Sequence, residues 1–190
     1  MKSYFIHESS FIDEPCEIGN GTKIWHFSHI MKNSKIGKNC NIGQNVVISP
    51  NVIIGDNVKI QNNVSVYTGV ICNNNVFIGP SVVFTNIINP RSQVVRKDKF
   101  IKTILKEGAS IGANATILCG NIIGKYSLIG AGSVVTNDIP DYSVVVGNPA
   151  KQIGWVDEYG EKLDFSTKNE AKSSMTNSIY YLSNNKVFKK

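Results

Sequence analysis

The sequence predicts an all-β solenoid of short strands wound into three-sided coils, with one inserted loop and a short C-terminal tail. Three observations carry this expectation. From Ile6 to Phe84 a bulky apolar residue recurs every six positions: Ile6, Ile12, Ile18, Ile24, Ile30, Ile36, Ile42, Ile48, Ile54, Ile60, Val66, Cys72, Ile78 and Phe84. A second series, two places before the first, is small or β-branched, running from Ser10, Cys16, Thr22, Ser28, Ser34 and Cys40 into a valine at every sixth position from Val46 to Val82. The phase then breaks and resumes three residues out of step at Ile111, Ile117, Ile123, Ile129 and Val135.

Each element follows from that period. A helix wants apolar residues at a spacing near 3.6, which a period of six serves badly. Six suits a two-residue strand and a corner, because alternating side chains turn the aliphatic residue and the small one before it to the same, inward side. Glycine follows the aliphatic residue at Gly19, Gly37, Gly43, Gly55, Gly79, Gly112, Gly124 and Gly130; a positive φ at the corner is the expected reason. Three such sides make a coil of 18 residues, and stacked coils pair as parallel ladders about 4.8 Å apart. Cys16, Cys40 and Cys72 fall on inward positions and are expected to pack as small core residues. With Cys119 they lie far apart and form no C-x-x-C pair, which argues against a zinc knot or a disulfide framework.

Between Phe84 and Ile111 an insertion of about 15 residues is expected to leave near Asn89 and return near Leu105. It carries Arg91, Arg96, Lys97, Lys99, Lys102 and Lys106 against the single acid Asp98, a composition that suits a phosphate-rich ligand. The 18-residue stack puts Glu14, Lys32, Pro50, Thr68 and Asn86 on the edge where the insertion departs, with Asp13, Met31, Ser49, Tyr67 and Thr85 beside them. The outward residues leading to that edge, Phe11, His29, Val47, Ser65 and Val83, are mostly apolar, unlike Phe5, Lys23, Asn41, Lys59 and Phe77 on a neighbouring side. An exposed apolar strip of this kind is expected to pack against another subunit.

Composition narrows the classes. At 190 residues with 42% hydrophobic and 18% charged side chains, one globular domain is expected. No apolar run approaches a membrane span, and the start "MKSYFIHESS" has no signal-like apolar stretch, so a cytoplasmic location is the expectation. The net charge of +6 is modest, and without base-stacking aromatics or a nucleic-acid motif no nucleic-acid partner is expected. In "IWHFSHI" His29 points outward from a side and His26 sits at a corner. A metal would need a third ligand, and only His7 remains, about one coil away, so no metal site is expected.

The repeat resembles the hexapeptide-repeat, left-handed parallel β-helix family, and the left hand comes from that resemblance alone, against the general rule for parallel crossovers. "WHFSHI", "KIQNNVSVY", "FTNIINPRS", "GASIGANATI" and "GNPAKQIGW" together resemble one branch of it, from about Tyr4 to Phe165. These are the N-acetyltransferases of nucleotide-linked 3-amino sugars in surface-polysaccharide (lipopolysaccharide, O-antigen) biosynthesis. The resemblance implies acetyl-CoA as co-substrate, a nucleotide-linked amino sugar as acceptor and a homotrimer with clefts between subunits. Two acceptors remain open, a dTDP-3-amino-3,6-dideoxyhexose and UDP-2-acetamido-3-amino-2,3-dideoxyglucuronate. The resemblance places the pantetheine arm on the later coils around Ala113 and Ala131, phosphate charge near Lys125 and Lys151, and the adenine near Asn148 of "GNPA". Asn86 would hold the acceptor amine in line for attack, Arg91 and the loop lysine Lys97 would meet phosphate or carboxylate, and His26 and Tyr67 would contact the sugar nucleotide. Either His29 takes the amine proton or solvent does. The acetyltransferase domain is expected over 1–153 and a capping tail over 154–190, with "IYYLSNNKVFKK" as a hairpin turning at "SNN". A non-catalytic trimeric scaffold and a metal-dependent hydratase are the rival readings.

Overall fold

The computed structural model describes residues 3–96 and 98–190, so the expected loop contact Lys97 lies outside the described residues. No helix occurs among them. Two-residue strands such as Lys23–Ile24, His29–Ile30 and Lys35–Ile36 alternate with four-residue corners, each strand presenting one side chain outward and burying the next. They form three parallel sheets, which we call faces A, B and C. Face A carries the outward ladder Phe5, Lys23, Asn41, Lys59, Phe77, Ser110, Leu128 and Val144. Face B carries Phe11, His29, Val47, Ser65, Val83, Thr116 and Val134. Face C carries Glu17, Lys35, Ile53, Ile71, Ile104 and Ile122.

Both inward series behave as the period requires. Ile24, Ile30, Ile42, Ile48, Ile60, Val66, Ile78 and Ile111 are wholly buried along the axis. In the first coils most of the small partners are hydroxyls, and these donate to a corner carbonyl of the next coil: Thr22 to Gly37 at 2.8 Å, Ser28 to Gly43 at 2.9 Å. Where later coils bury valine or alanine there, no such bond is needed, and where they bury Ser127 the hydroxyl donates to the Gly124 carbonyl at 2.8 Å. Cys40 and Cys72 are buried and Cys16 half-buried, all with free thiols.

One expectation is overturned. The glycines after the aliphatic residues do not adopt positive φ; that conformation falls two residues later, mostly on asparagine, with φ 63° at Asn33, 54° at Asn39 and 56° at Asn57. Asparagine tolerates the left-handed region because its short amide bonds locally. The glycines answer a different demand: a Cβ at Gly19 would stand 2.5 Å from the carbonyl carbon of Gly37 one coil on. Close coil stacking, not backbone freedom, excludes a side chain there.

The insertion lies where the edge stack predicts. Strand partners in the coils are 18 residues apart, as in Lys23 with Asn41, except at the last rung, where Leu128 with Val144 are 16 apart, and across the insertion, where Cys72 with Leu105 and Phe84 with Ile117 are 33 apart, so 15 residues are extra there. The chain leaves face B after Val83–Phe84 and rejoins face C at Thr103–Leu105. Its feet are tied where Ile101 N–H donates to the Asn86 carbonyl at 2.9 Å and Thr103 N–H to that of Gly69 at 3.0 Å.

At the C-terminal end, Lys151–Val156 runs antiparallel onto Ser143–Val146, the last rung of face A, and Lys162–Leu163 adds beyond it. The strand therefore spans residue 153 and covers a sheet edge that would otherwise be open. Glu170–Lys172, Ile179–Ser183 and Lys186–Lys189 form a separate antiparallel sheet, with Asn184 and Asn185 at positive φ in the expected hairpin turn. Tyr180 and Val187 of this sheet bury against Trp155, Leu163 and Tyr142, so the tail docks on the edge between faces C and A.

Candidate functional site

Corner hydrogen bonds between successive coils sort the expected residues onto edges of the prism. On the edge joining faces A and B, Asn45 N–H donates to His26, Asn63 to Gln44, Ser81 to Asn62, Asn114 to Pro80 and Gly132 to Ala113. His26, Gln44, Asn62, Pro80, Ala113 and Ala131 thus form one column. The Gly147–Ala150 turn closes its far end: Val134 N–H donates to the Gly147 carbonyl and Ala150 N–H to that of Val134. Asn148 and Lys151 are exposed there. Ala113, Ala131, Asn148 and Lys151 are therefore brought together.

Lys125 is not with them. Tyr126 N–H donates to Glu107 and Tyr142 N–H to Lys125, which places Lys125 on the edge between faces C and A. Its ammonium pairs with Glu107 at 3.5 Å.

The edge joining faces B and C holds the remaining residues. Asn86 is half-buried where the insertion departs, Tyr67 is exposed one coil earlier, and Arg91 lies exposed in the loop with its guanidinium donating to the Pro90 carbonyl at 3.0 Å. His29 lies on face B toward this edge, its Nε2 2.9 Å from an Asp13 carboxylate oxygen. A carboxylate only accepts, so Nε2 carries the proton in the neutral ring and Nδ1 keeps its lone pair. Asp13 was legible in the edge column but unpaired there, since nothing in sequence spacing joins it to His29.

Height along the axis separates two expected partners. His29 reaches Val83 through Val47 and Ser65, three rungs, and Asn86 follows Val83. At about 4.8 Å per rung that is roughly 14 Å, too far for both side chains to touch one nitrogen. Pro80 lies in the coil that ends in Asn86, and Ala113 stands one rung beyond it. The later-coil groove begins about one rung from Asn86, whereas His29 is about three rungs away.

His26 stacks face to face on His7, ring centroids 3.5 Å apart, and lies nearly parallel to Trp25. The two imidazoles present faces rather than nitrogens to each other. Among the described residues no three His, Cys, Asp or Glu side chains are grouped to hold a metal ion.

Two repeat families match the coils. The description "Bacterial transferase hexapeptide (six repeats)" covers residues 15–50, and "Hexapeptide repeat of succinyl-transferase" covers 35–68 and 104–137. The coils thus carry hexapeptide repeats of the transferase kind over residues 15–68 and 104–137, a little under half of the chain. The unmatched stretch between the two later matches contains the insertion. Among curated relatives, the chain is 57% identical over 68 residues to dTDP-3-amino-3,6-dideoxy-alpha-D-galactopyranose 3-N-acetyltransferase of Aneurinibacillus thermoaerophilus, covering 36% of this chain and 35% of that protein. It is 36% identical over 107 residues to galactoside O-acetyltransferase of Lactococcus lactis, covering 51% of this chain and 52% of the relative. The matches thus span about a third and about half of these relatives' lengths. Among solved structures, the acetyltransferase domain of PglB from Neisseria gonorrhoeae, in complex with acetyl coenzyme A, shares the fold with a TM-score of 0.56 at 21% identity, over 80% of this chain and 58% of that one.

Proposed function

We propose that this chain is an acetyl-CoA-dependent N-acetyltransferase that acetylates the 3-amino group of a nucleotide-linked sugar, a dTDP-3-amino-3,6-dideoxyhexose, in surface-glycan biosynthesis. The observation that carries the proposal is the division of the site residues between two edges, within about two rungs of one another. Ala113 and Ala131 stand on the edge between faces A and B, Asn86 and the basic insertion on the edge between B and C. The side between them exposes Phe11 at 69%, Tyr67 at 41% and Val83 at 50%. Joining one copy's A–B edge to another's B–C edge is a head-to-tail contact, the kind that closes a ring. We therefore assign a homotrimer whose three clefts each take one edge from each neighbour. The named 3-N-acetyltransferase relative favours the dideoxyhexose acceptor over the uronate.

The chemistry suits this layout. The free amine attacks the thioester carbonyl, a tetrahedral oxyanion forms, the C–S bond breaks, and the thiolate leaves to be protonated. Asn86 holds the amino group or its sugar in line, an effect that proximity alone makes worth several orders of magnitude. Because His29 is about three rungs from Asn86, the amine proton goes to solvent, and the His29–Asp13 pair contacts another part of the substrate or the neighbouring subunit.

Free-thiol release from acetyl-CoA, measured with a dTDP-3-amino-3,6-dideoxyhexose and with the UDP-3-amino uronate, tests the reading. The dTDP sugar is expected to turn over. Asn86→Ala should lower kcat about 100-fold, and His29→Ala should leave kcat within about threefold while raising KM. Turnover of neither sugar refutes the proposal, and a collapse of kcat in His29→Ala would restore it as the base.

A further inference from the structure

Beside His26, on the edge between faces A and B, lies a hollow of about 280 Å³ lined by Trp25, His26, Asn41, Gly43, Gln44, Gln61 and Asn62. Its walls are of two kinds. Trp25 and His26 present nearly parallel rings, 8° apart in plane with centroids 6.4 Å apart, and His26 is backed by His7. Phe5 tilts against Trp25 with centroids 5.4 Å apart. The rest of the lining is glycine and side-chain amides. Gly43 is bare because a Cβ there would stand 2.7 Å from the Asn62 side-chain oxygen.

Two of the amides are fixed in orientation. The Trp25 indole N–H, which can only donate, bonds to Asn41 Oδ1 at 2.8 Å. The Gln44 backbone N–H donates to Asn62 Oδ1 at 2.9 Å. In each asparagine the oxygen is therefore committed, and the NH₂ group is left as a donor. Gln44 and Gln61 keep side-chain amides with no hydrogen bond to the described residues, and either supplies a carbonyl acceptor. A flat aromatic wall beside two fixed donors and a free acceptor fits a planar ring whose edge reads acceptor, donor, acceptor. Among the common bases that edge belongs to uracil and thymine, two carbonyls flanking an N–H; cytosine puts an amino group where a fixed donor would face it.

We infer that this hollow binds the pyrimidine of the nucleotide-linked substrate and selects uracil or thymine over cytosine and purines. The inference rests on the nucleotide-sugar reading above. Placement agrees with it: Gln44 and Asn62 stand two rungs and one rung before Pro80 in the column, hence roughly 5–10 Å from the height of Asn86. A diphosphate and one hexose bridge that span.

The test is titration of the full chain with dTDP, UDP, CDP and GDP in the absence of sugar, followed by calorimetry and by fluorescence of Trp155→Phe, in which Trp25 is the one remaining indole. dTDP and UDP are expected to bind and quench Trp25, with CDP and GDP about tenfold weaker or more. Trp25→Ala should weaken dTDP about tenfold by loss of stacking. Asn62→Asp keeps the oxygen that accepts from Gln44 while removing the donor, and should abolish the preference for dTDP over CDP. Equal binding of all four nucleotides, binding of none, or unchanged preference in Asn62→Asp would each overturn the inference. Acetyl transfer measured on the same preparations separates the two claims. Transfer with unchanged preference in Asn62→Asp removes the hollow alone, whereas selective dTDP binding without transfer keeps the hollow and removes the acetyltransferase.

Discussion

At the scale of single residues, the coil corner divides its labour between two positions that look alike in composition. Glycine after the aliphatic residue lets the next coil approach, and asparagine two residues on takes the left-handed turn. Gly19→Ala should therefore cost about 1–3 kcal/mol of unfolding free energy by overpacking, whereas Asn57→Gly, at φ 56°, should cost under about 1 kcal/mol. Urea midpoints of the two variants check this. The sequence shows the glycines plainly but not which use they serve, because both uses select for a missing Cβ. Cys72 gives a second expectation. Burial in the core pushes its thiol pKa up from the ordinary 9.0. A raised pKa contributes stability in full below the unfolded value and loses it as pH rises toward the folded one. The melting temperature should thus hold to about pH 9 and fall above it, and Cys72→Val should fall less steeply.

At the scale of elements, the solenoid and its tail obey different rules. Each coil touches mainly its neighbours, so the six-residue period could be read directly and the insertion placed on its edge by counting in steps of 18. The tail has no period. Its hairpin was legible from the asparagine turn, but the strand Glu170–Lys172 that completes the sheet depends on contacts remote in sequence. Tyr180, 1% exposed, anchors that sheet against Tyr142. Tyr180→Ala should cost about 3–5 kcal/mol locally. Limited proteolysis is expected to remove the tail from this variant while leaving the coils resistant; resistance of the whole chain would show that the tail is held by something other than its own core.

At the scale of the whole molecule, the proposed site needs two edges to meet. Sequence counting found the B–C edge and its apolar face, but the A–B column appears once all three edges are traced, and it draws His26 in line with Ala113 and away from Lys125. Height along the axis likewise separates His29 from Asn86, which the sequence expectation puts in one cleft. A site shared between copies predicts complementation. Asn86→Ala is impaired on one edge, and Ala131→Trp blocks the other. Co-assembled in equal amounts, the two should recover about a quarter of wild-type activity, because one cleft in four unites two intact edges in a head-to-tail ring. Sites contained within one chain would recover none.

The relatives that this chain resembles include both an N- and an O-acetyltransferase, so the position of the new acetyl group tests the central claim most directly. With isotopically labelled acetyl-CoA, a dTDP-3-amino-3,6-dideoxyhexose and its 3-hydroxy counterpart are supplied in parallel and the products are read by NMR. Label in an amide at C3 of the amino sugar, with the hydroxy sugar untouched, is the predicted result. An ester on the hydroxy sugar, with the amino group left free, would contradict it.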